Sequence, residues 1–356
     1  MGSIGEAAAD CGSASDPLNC GACGHDCLGG ACVGGMCSPV SLTTTLNGPM
    51  KLALAGSYVY VTDGDPSSLQ QSARVLRLPK AGGDAVVLAA DEPSAWGVAV
   101  LGDDLCWTRI GTPQADYADG ALRRLILGTD GGSPSTLQTP AAFPTAVALD
   151  AHNVYWVESG VAPGFNNGTV RALPQDGGLP VVLADGGFAW SPGYLAIDDS
   201  FVYWTAEVQV QAQGVVGRVP LGGGTMETIA TTSHIPTSIV LDAENVYWVE
   251  WSQQRDSATI AAASHSGANP RTLWSGQGLI PFDLAIDGTA LYWTEDLDAG
   301  GVGRVMKLSL AGGAPVTLAA NEYDPFGIAV DDTSVYWTTS SPPNAPGTGS
   351  VRRLAK

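Results

Sequence analysis

Leu291-Tyr292-Trp293-Thr294 is one of seven close variants of a single four-residue stretch, and this repetition decides the fold. The copies begin at residues 59, 105, 154, 202, 246, 291 and 335, so that successive copies lie 44 to 49 residues apart. A unit of that length is too small to bury its own core and must pack against its neighbours. A repeat of roughly 40–50 residues built from short strands is typical of small sheets arranged in a ring.

Each unit is predicted to contain four strands. Strand A follows the pattern Pro-x-x-apolar-Ala/Val-apolar-Asp, as at 144–150, and strand B carries the Tyr-Trp pair with apolar residues on both faces. Strand C, for example 304–310, ends in a Gly-Gly turn, and strand D follows, for example 315–319. Gly-Gly between two apolar runs provides the positive φ angles that a tight hairpin needs. We therefore predict an all-β fold, a seven-bladed β-propeller of four-stranded blades.

The last unit lacks a strand D, because the sequence stops at Lys356 after strand C. Residues 38–46 lie before the first strand A and match the strand-D pattern. An open ring would leave a strand edge prone to mispairing, so we predict that 38–46 forms the outer strand of blade 7. The predicted organisation is a disordered or expression-derived tail at 1–10, a Cys-rich module at 11–37 and the propeller at 38–356.

Six of the seven cysteines are crowded into the predicted module: Cys11, Cys20, Cys23, Cys27, Cys32 and Cys37. A segment with so few apolar residues cannot build a core, so we predict that these cysteines form disulfides, whose pairing the sequence leaves open. Zinc is the alternative, but six sulfurs and His25 fit disulfides better than one four-ligand site. Disulfides favour an extracellular or cell-surface location, with the periplasm as a second option. Cys106 stands apart and is predicted to be a buried free thiol.

The composition narrows the class of partner. The chain of 356 residues has a net charge of −19, which disfavours nucleic acid and anionic membrane surfaces. No apolar run approaches the roughly 20 residues that a membrane-spanning helix needs. The expected partner is a glycan or an extracellular protein, with the propeller itself a monomer and no cofactor required.

The binding face is predicted from the loops. The A–B and C–D turns are short and uniform, whereas the B–C and D–A loops differ from blade to blade, and irregular loops on a rigid ring are where ligands bind. Candidate ligand-binding residues at the central mouth of that face are Trp96, Tyr194, Phe282, Asp283, Phe326, Glu158, Glu250, Trp251, Glu295 and His234. Outer loops add Asp91, Glu92, Asp116, Tyr117, Trp190, Glu322, Tyr323 and Asp324. Aromatic rings mixed with carboxylates suit a carbohydrate, and they equally suit a basic peptide.

Other functions remain open at this point. A hydrolase or lyase could use carboxylates such as Glu250 and Glu295, or His234, at the mouth. A structural, self-assembling surface protein is a further alternative. Calcium could bind at Asp63-Gly-Asp65 or Asp296-Leu-Asp298, where hard oxygen ligands cluster. No catalytic residue is predicted, and a non-catalytic binding protein is favoured.

Tyr-Trp-Thr at this spacing resembles the YWTD repeat propellers of the class B modules of lipoprotein receptors, over roughly residues 39–356. The resemblance implies the propeller fold, with two departures. The receptor propellers have six blades rather than seven, and the family's fourth-position Asp is kept only at Asp63. The other blades carry Arg109, Glu158, Ala206, Glu250, Glu295 and Thr339 there. Residues 19–27 resemble Cys-rich modules at the amino ends of bacterial secreted surface proteins, which implies secretion.

Overall fold

The computed structural model describes residues 12–64, 73–128, 132–161, 167–188, 193–208, 213–297, 301–342 and 345–356. Within these residues the chain forms seven four-stranded antiparallel sheets and a separate two-stranded hairpin. A 3-10 turn lies at Pro113–Ala115. No helix in the described part of the chain is both long and apolar enough to cross a membrane. Cys11, Asp65, Trp190 and Asp298, which were considered above, lie outside the described residues.

The strands follow the predicted A-to-D order in every blade. The hairpin is β1 (Cys32–Val33) and β2 (Met36–Cys37), and β3 (Val40–Leu46) precedes the first blade. Blade 1 consists of β4 (Pro49–Ala55), β5 (Tyr58–Asp63), β6 (Arg74–Pro79) and β7 (Val86–Ala89). Blade 2 consists of β8 (Ala95–Leu101), β9 (Asp104–Arg109), β10 (Gly120–Ile126) and β11 (Ser135–Ala141). Blade 3 consists of β12 (Pro144–Leu149), β13 (Asn153–Glu158), β14 (Gly168–Pro174) and β15 (Val181–Phe188). Blades 4 and 5 are β16 (Leu195–Ile197), β17 (Phe201–Val208), β18 (Gln213–Pro220), β19 (Glu227–Thr232); and β20 (Ile235–Leu241), β21 (Asn245–Trp251), β22 (Ser257–Ser264), β23 (Arg271–Gln277). Blades 6 and 7 are β24 (Leu279–Ile286), β25 (Ala290–Leu297), β26 (Val302–Ser309), β27 (Val316–Tyr323); and β28 (Pro325–Val330), β29 (Ser334–Thr339), β30 (Gly349–Ala355), with β3 as the fourth strand.

The repeated Tyr-Trp pair joins neighbouring blades. Adjacent residues on a strand point to opposite faces, so the Tyr of one blade meets the Trp of the next. Tyr155 shares a core cluster with Trp204, and Tyr247 shares one with Trp293. All four side chains are at most 2 % exposed. Each removes roughly 150–250 Å² from water, which explains why the sequence repeats this pair in five of the seven blades.

The ring closes as the sequence predicts. Strand β3 pairs antiparallel with β30, from Val40 opposite Arg353 to Leu46 opposite Gly349. The Cys-rich module contacts the same blade, because the Arg353 guanidinium donates to the carbonyl oxygen of Leu28.

Disulfides hold the module together. Cys20 is bonded to Cys32 and Cys27 to Cys37, and Cys23 is also in a disulfide. Cys106 is a buried free thiol, whose pKa burial raises to about 12. Both predictions for the described cysteines are therefore confirmed.

The Asp that ends strand A fixes the A–B turn. In five blades one carboxylate oxygen accepts backbone N–H groups of the turn, and the other accepts the hydroxyl of the strand-B Tyr. In blade 3, for example, Asp150 accepts the N–H of Asn153 at 2.6 Å and the hydroxyl of Tyr155 at 2.8 Å. The same Asp–Tyr bond is made by Asp198, Asp242, Asp287 and Asp331. Blade 2 lacks both partners, since it carries Leu101 and Cys106 at these positions. The uniform turns are thus part of the scaffold.

The Thr of the repeat ties one blade to strand A of the next. Thr62 donates to the carbonyl oxygen of Trp96 at 2.8 Å, and Thr294 donates to that of Phe326. Thr338 donates to the carbonyl oxygen of Met50 at 2.9 Å, across the seam between blades 7 and 1. These bonds hold the first residues of strand A, which border the central channel, in fixed positions.

Candidate functional site

A cavity of about 270 Å³ lies at the mouth of the central channel, on the face of the B–C and D–A loops. The residues that line it are Trp96, Ile110, Phe143, Thr145, Tyr194, Trp251, Arg255, Phe282 and Phe326. Five of the ten residues singled out from the sequence meet here: Trp96, Tyr194, Trp251, Phe282 and Phe326. These residues come from six of the seven blades. We call this space the mouth cavity.

Aromatic rings in contact form the main wall of the mouth cavity. The ring centroids of Trp251 and Phe282 lie 5.9 Å apart, those of Phe282 and Phe326 5.4 Å, and those of Phe326 and Trp96 5.7 Å. Two of the three pairs are close to perpendicular, at 86° and 79°, which is a favoured edge-to-face arrangement. Tyr194 also donates its hydroxyl to the carbonyl oxygen of Phe282 at 3.4 Å. The ring contacts and this hydrogen bond together fix the apolar wall in position.

Trp251 is placed by an extension of blade 5. Strand B of this blade continues one residue beyond the usual fourth position, to Trp251. Its indole N–H donates to the carbonyl oxygen of Pro281 in blade 6 at 2.7 Å. The guanidinium of Arg255 lies 5.0 Å from its ring centroid. The Trp251 indole therefore joins blades 5 and 6 through its N–H, and the Arg255 guanidinium lies over its ring.

Charged and polar residues form the floor of the channel. Nζ of Lys51 lies 2.9 Å from Oδ1 of Asp283 and 4.0 Å from the ring centroid of Tyr194. Asp283 also accepts the hydroxyl of Ser238 at 2.9 Å and the N–H of Ile328 at 3.3 Å. Burial lowers the pKa of Lys51, although Asp283 opposes that change, and burial raises the pKa of Tyr194. A second cavity of about 140 Å³ adjoins this polar floor.

The fourth-position glutamates are engaged inside the blades. Glu158 accepts the indole N–H of Trp156 at 2.8 Å and lies 3.2 Å from Arg171. Glu295 likewise accepts the indole N–H of Trp293 and pairs with Arg304. Glu250 makes the matching bond to the indole N–H of Trp248 at 2.7 Å. These three predicted site residues line neither cavity.

In two blades that have no Glu at the fourth position of the repeat, a Glu from another segment accepts the indole N–H of the Trp instead. Glu92 accepts the indole N–H of Trp107 at 3.1 Å, and Glu322 accepts that of Trp337 at 3.0 Å. In each case the Glu precedes the Trp by 15 residues. Both glutamates are 2 % exposed, so these two outer-loop candidates belong to the blade interior.

Tyr117 packs edge-to-face against Phe143 of the mouth cavity, with ring centroids 4.8 Å apart, whereas His234 and Asp63 do not line that cavity. Nδ1 of His234 is 3.8 Å from Oε2 of Glu250, and its side chain is 41 % exposed. Asp63 accepts the N–H groups of Asn47 and Gly48 and pairs with Arg74, so both of its oxygens are occupied within blade 1. In the described residues, the one His/Cys/Asp/Glu group with metal-like spacing is Cys20, Cys27 and Cys37, which are in disulfides.

Sequence reasoning missed Phe143, Arg255, Lys51 and Ser238. Phe143 and Arg255 lie in loops with positive φ angles of 54° and 56°, outside the repeated pattern. Lys51 and Ser238 occupy the third position of strand A, like Tyr194 and Asp283. Comparing that one position across all blades would have found them.

The sequence of blade 5 matches a known repeat. Residues 244–287 fit the family model for the low-density lipoprotein receptor repeat class B. Residues 244–287 therefore carry a class B (YWTD-type) repeat, which is one repeat of the seven-bladed propeller. No curated protein matches this propeller in sequence.

Solved structures share the fold at low identity. A chain from a nidogen/laminin complex is 22% identical, with 76% of this propeller and 83% of that chain covered and a TM-score of 0.44. An oligogalacturonate lyase in complex with manganese is 14% identical, with 89% and 92% covered and a TM-score of 0.63. The propeller domain of the trilobed protease from Pyrococcus furiosus is 9% identical, with 88% and 94% covered and a TM-score of 0.61. The two likenesses with TM-scores of 0.63 and 0.61 concern the fold alone.

Proposed function

We propose that this YWTD-type propeller is a secreted or surface-exposed, non-catalytic binding protein that takes a protein ligand at the B–C/D–A mouth. An apolar side chain of the ligand occupies the mouth cavity, and the surrounding loops contact the residues on either side of it. The observation that carries the proposal is the continuous aromatic wall from Trp251 through Phe282 and Phe326 to Trp96. Buried aromatic pockets at the centre of a contact surface are where binding energy concentrates.

The lining favours a protein over a glycan. Carbohydrate recognition needs acceptors beside the rings, but Glu158 and Glu295 are 5 % and 0 % exposed and are bonded to Trp and Arg side chains. The volume of about 270 Å³ is also slightly below that of small-molecule pockets, which are roughly 300–1,000 Å³. One large apolar side chain fits that space better than an oligosaccharide.

The test is selection of a displayed 12-residue random peptide library on the immobilised protein. Enriched peptides should share an aromatic or large aliphatic residue, and Phe282→Ala/Phe326→Ala should weaken their binding at least tenfold. Tyr58→Ala is the matched control, since this exposed ring lies at an A–B turn on the opposite face. Peptides that bind the double variant unchanged, or binding on a glycan array without any selected peptide, would overturn the proposal.

A further inference from the structure

Arg255 differs from most arginines of the propeller in having no carboxylate partner. Eight arginines in the described residues form ion pairs within 4 Å: Arg74, Arg109, Arg123, Arg124, Arg171, Arg218, Arg304 and Arg352. Arg255 forms none among those residues, is exposed, and lines the mouth cavity. Among the described residues that line the cavity, it is the one charged side chain.

The loop holds Arg255 in this place by specific bonds. The turn closes through the N–H of Arg255, which donates to the carbonyl oxygen of Ser252 at 2.9 Å. The hydroxyl of Ser252 donates to Asp256 at 2.7 Å. Arg255 itself has a φ of 56°, a conformation that costs free energy in a residue other than glycine. The side chain is thereby directed onto the face of Trp251.

The geometry points to a carboxylate site: we propose that Arg255 binds a ligand carboxylate adjoining the apolar side chain in the mouth cavity. This inference rests on the proposed function and specifies its ligand class. A guanidinium stacked on an indole keeps its N–H edges free, and those edges match a carboxylate in a bidentate pair. The aromatic wall would exclude water from one side of that pair.

The charges around Arg255 are compatible with an acidic group. Lys51, the other cation near the channel, is already paired with Asp283. The charge of Arg255 also acts on Glu207: burial raises the pKa of Glu207 and Arg255 opposes that rise, but no ion pair within 4 Å joins these two described residues. The net charge of −19 repels acidic ligands at long range, but at physiological salt charges beyond about 8 Å are screened. The pair between Arg255 and the ligand carboxylate therefore decides the affinity for an acidic ligand.

Two chemical sources would supply such a carboxylate: the C-terminus of the ligand protein, or an Asp or Glu side chain next to the apolar residue. Three synthetic peptides distinguish them: N-acetyl-Gly-Gly-Phe as the free acid, the same peptide as its amide, and N-acetyl-Gly-Phe-Glu-Gly as its amide. Binding is followed by calorimetry and by the fluorescence of the cavity tryptophans. Tighter binding of the free acid identifies the C-terminus, and tighter binding of the Glu peptide identifies the side chain.

The expected result is that at least one carboxylate peptide binds the wild type tenfold or more tightly than the neutral amide. Arg255→Gln should abolish that ratio, and Arg255→Lys should keep part of it. Arg271→Gln is the matched control, because this exposed arginine bonds Asn245 at the other face. Equal binding of all three peptides would overturn the carboxylate site but leave the cavity function standing. Binding of none at millimolar concentration would contradict the proposed function itself.

Discussion

Nζ of Lys51 lies 2.9 Å from Oδ1 of Asp283, although the two residues belong to blades 1 and 6, on either side of blade 7. Their side chains are 13% and 12% exposed. The pair lines the smaller cavity, which shares Trp96, Thr145 and Tyr194 with the mouth cavity, so it connects the stability of the ring with the shape of the binding site.

Removing one member of this pair should cost more than removing both. Asp283→Ala leaves the Lys51 ammonium buried against Tyr194, and we expect a loss of about 3–5 kcal/mol in the free energy of unfolding. Lys51→Met combined with Asp283→Ala should recover much of that loss, because no buried charge remains. Urea unfolding of the two single variants and the double variant measures the coupling. Strictly additive effects would show that the pair is not energetically linked.

The repeated Thr offers a matched comparison between two blades. Thr338 donates to the carbonyl oxygen of Met50 and accepts the N–H of Gly327, whereas the hydroxyl of Thr205 has no hydrogen-bond partner in the described residues. Valine occurs naturally at this position in blades 3 and 5, as Val157 and Val249. Thr338→Val should therefore destabilise the protein by about 1–3 kcal/mol, and Thr205→Val should leave it unchanged or more stable. Equal melting temperatures of the two variants would contradict a structural role for the blade 7–1 bond.

The Asp331 carboxylate predicts a loss of stability in acid. Burial alone would raise the pKa of Asp331, but hydrogen bonds from Lys80 and Thr333 outweigh it and lower that pKa from 3.8 to about 2. Because the folded-state pKa is the lower one, the contribution is present above pH 3.8 and is lost as the pH falls toward 2. Melting curves of Asp331→Asn should show lower stability at neutral pH but a shallower decline across this window. A decline as steep as in the wild type would assign the acid sensitivity to other carboxyl groups.

Tyrosines predict a second loss of stability in alkali. Burial, together with the nearby Asp331 carboxylate, raises the pKa of Tyr336 from 10.0 to about 12. A folded-state pKa above the unfolded one gives stability that is present below pH 10 and is lost as the pH rises toward 12. Tyr336→Phe should flatten the dependence of the melting temperature on pH between these values. Cys106, in the place of this Tyr in blade 2, is the natural example of a blade without the hydroxyl.

Ring closure can be tested at its outer strand. Deletion of residues 38–46 should lower the melting temperature sharply, since it exposes the edge of β30 and removes buried Leu42 and Leu46. Leu42→Asp should have a smaller effect of the same sign, because it places a charge where Leu42 is only 5 % exposed. Thr44→Asp, an exposed position on the same strand, should have no effect. An unchanged melt of the deletion variant would refute the closure.

The fold was predictable from the sequence because its main stabilising contacts recur at one position. Each copy of the four-residue repeat packs between two blades, so the number of copies in the sequence gives the number of blades. Because the last unit has no strand D of its own, β3 was the expected partner of β30. The aromatic wall was predictable for the same reason: Trp96, Phe282 and Phe326 share one register position at the start of strand A.

The rest of the site depends on contacts that a linear pattern does not contain. The carboxylates were grouped with the mouth because they follow strand B, but an adjacent indole N–H binds them within the blade. Glu92 and Glu322 perform that task from a segment 15 residues earlier, outside the four-residue repeat. Arg255 and Phe143 owe their positions to loop backbones with positive φ. Such conformations are set by local bonds rather than by hydrophobic period.

The pairing of β3 with β30 also dictates an order of events during synthesis. The ribosome makes β3 before any blade and makes its partner after the first six blades. A nascent chain therefore carries β3 without its partner throughout translation of blades 1 to 6, and blade 7 assembles only when both ends of the propeller have emerged. Truncation at either end should accordingly leave the same unclosed ring, with exposed strand edges that invite aggregation and chaperone binding.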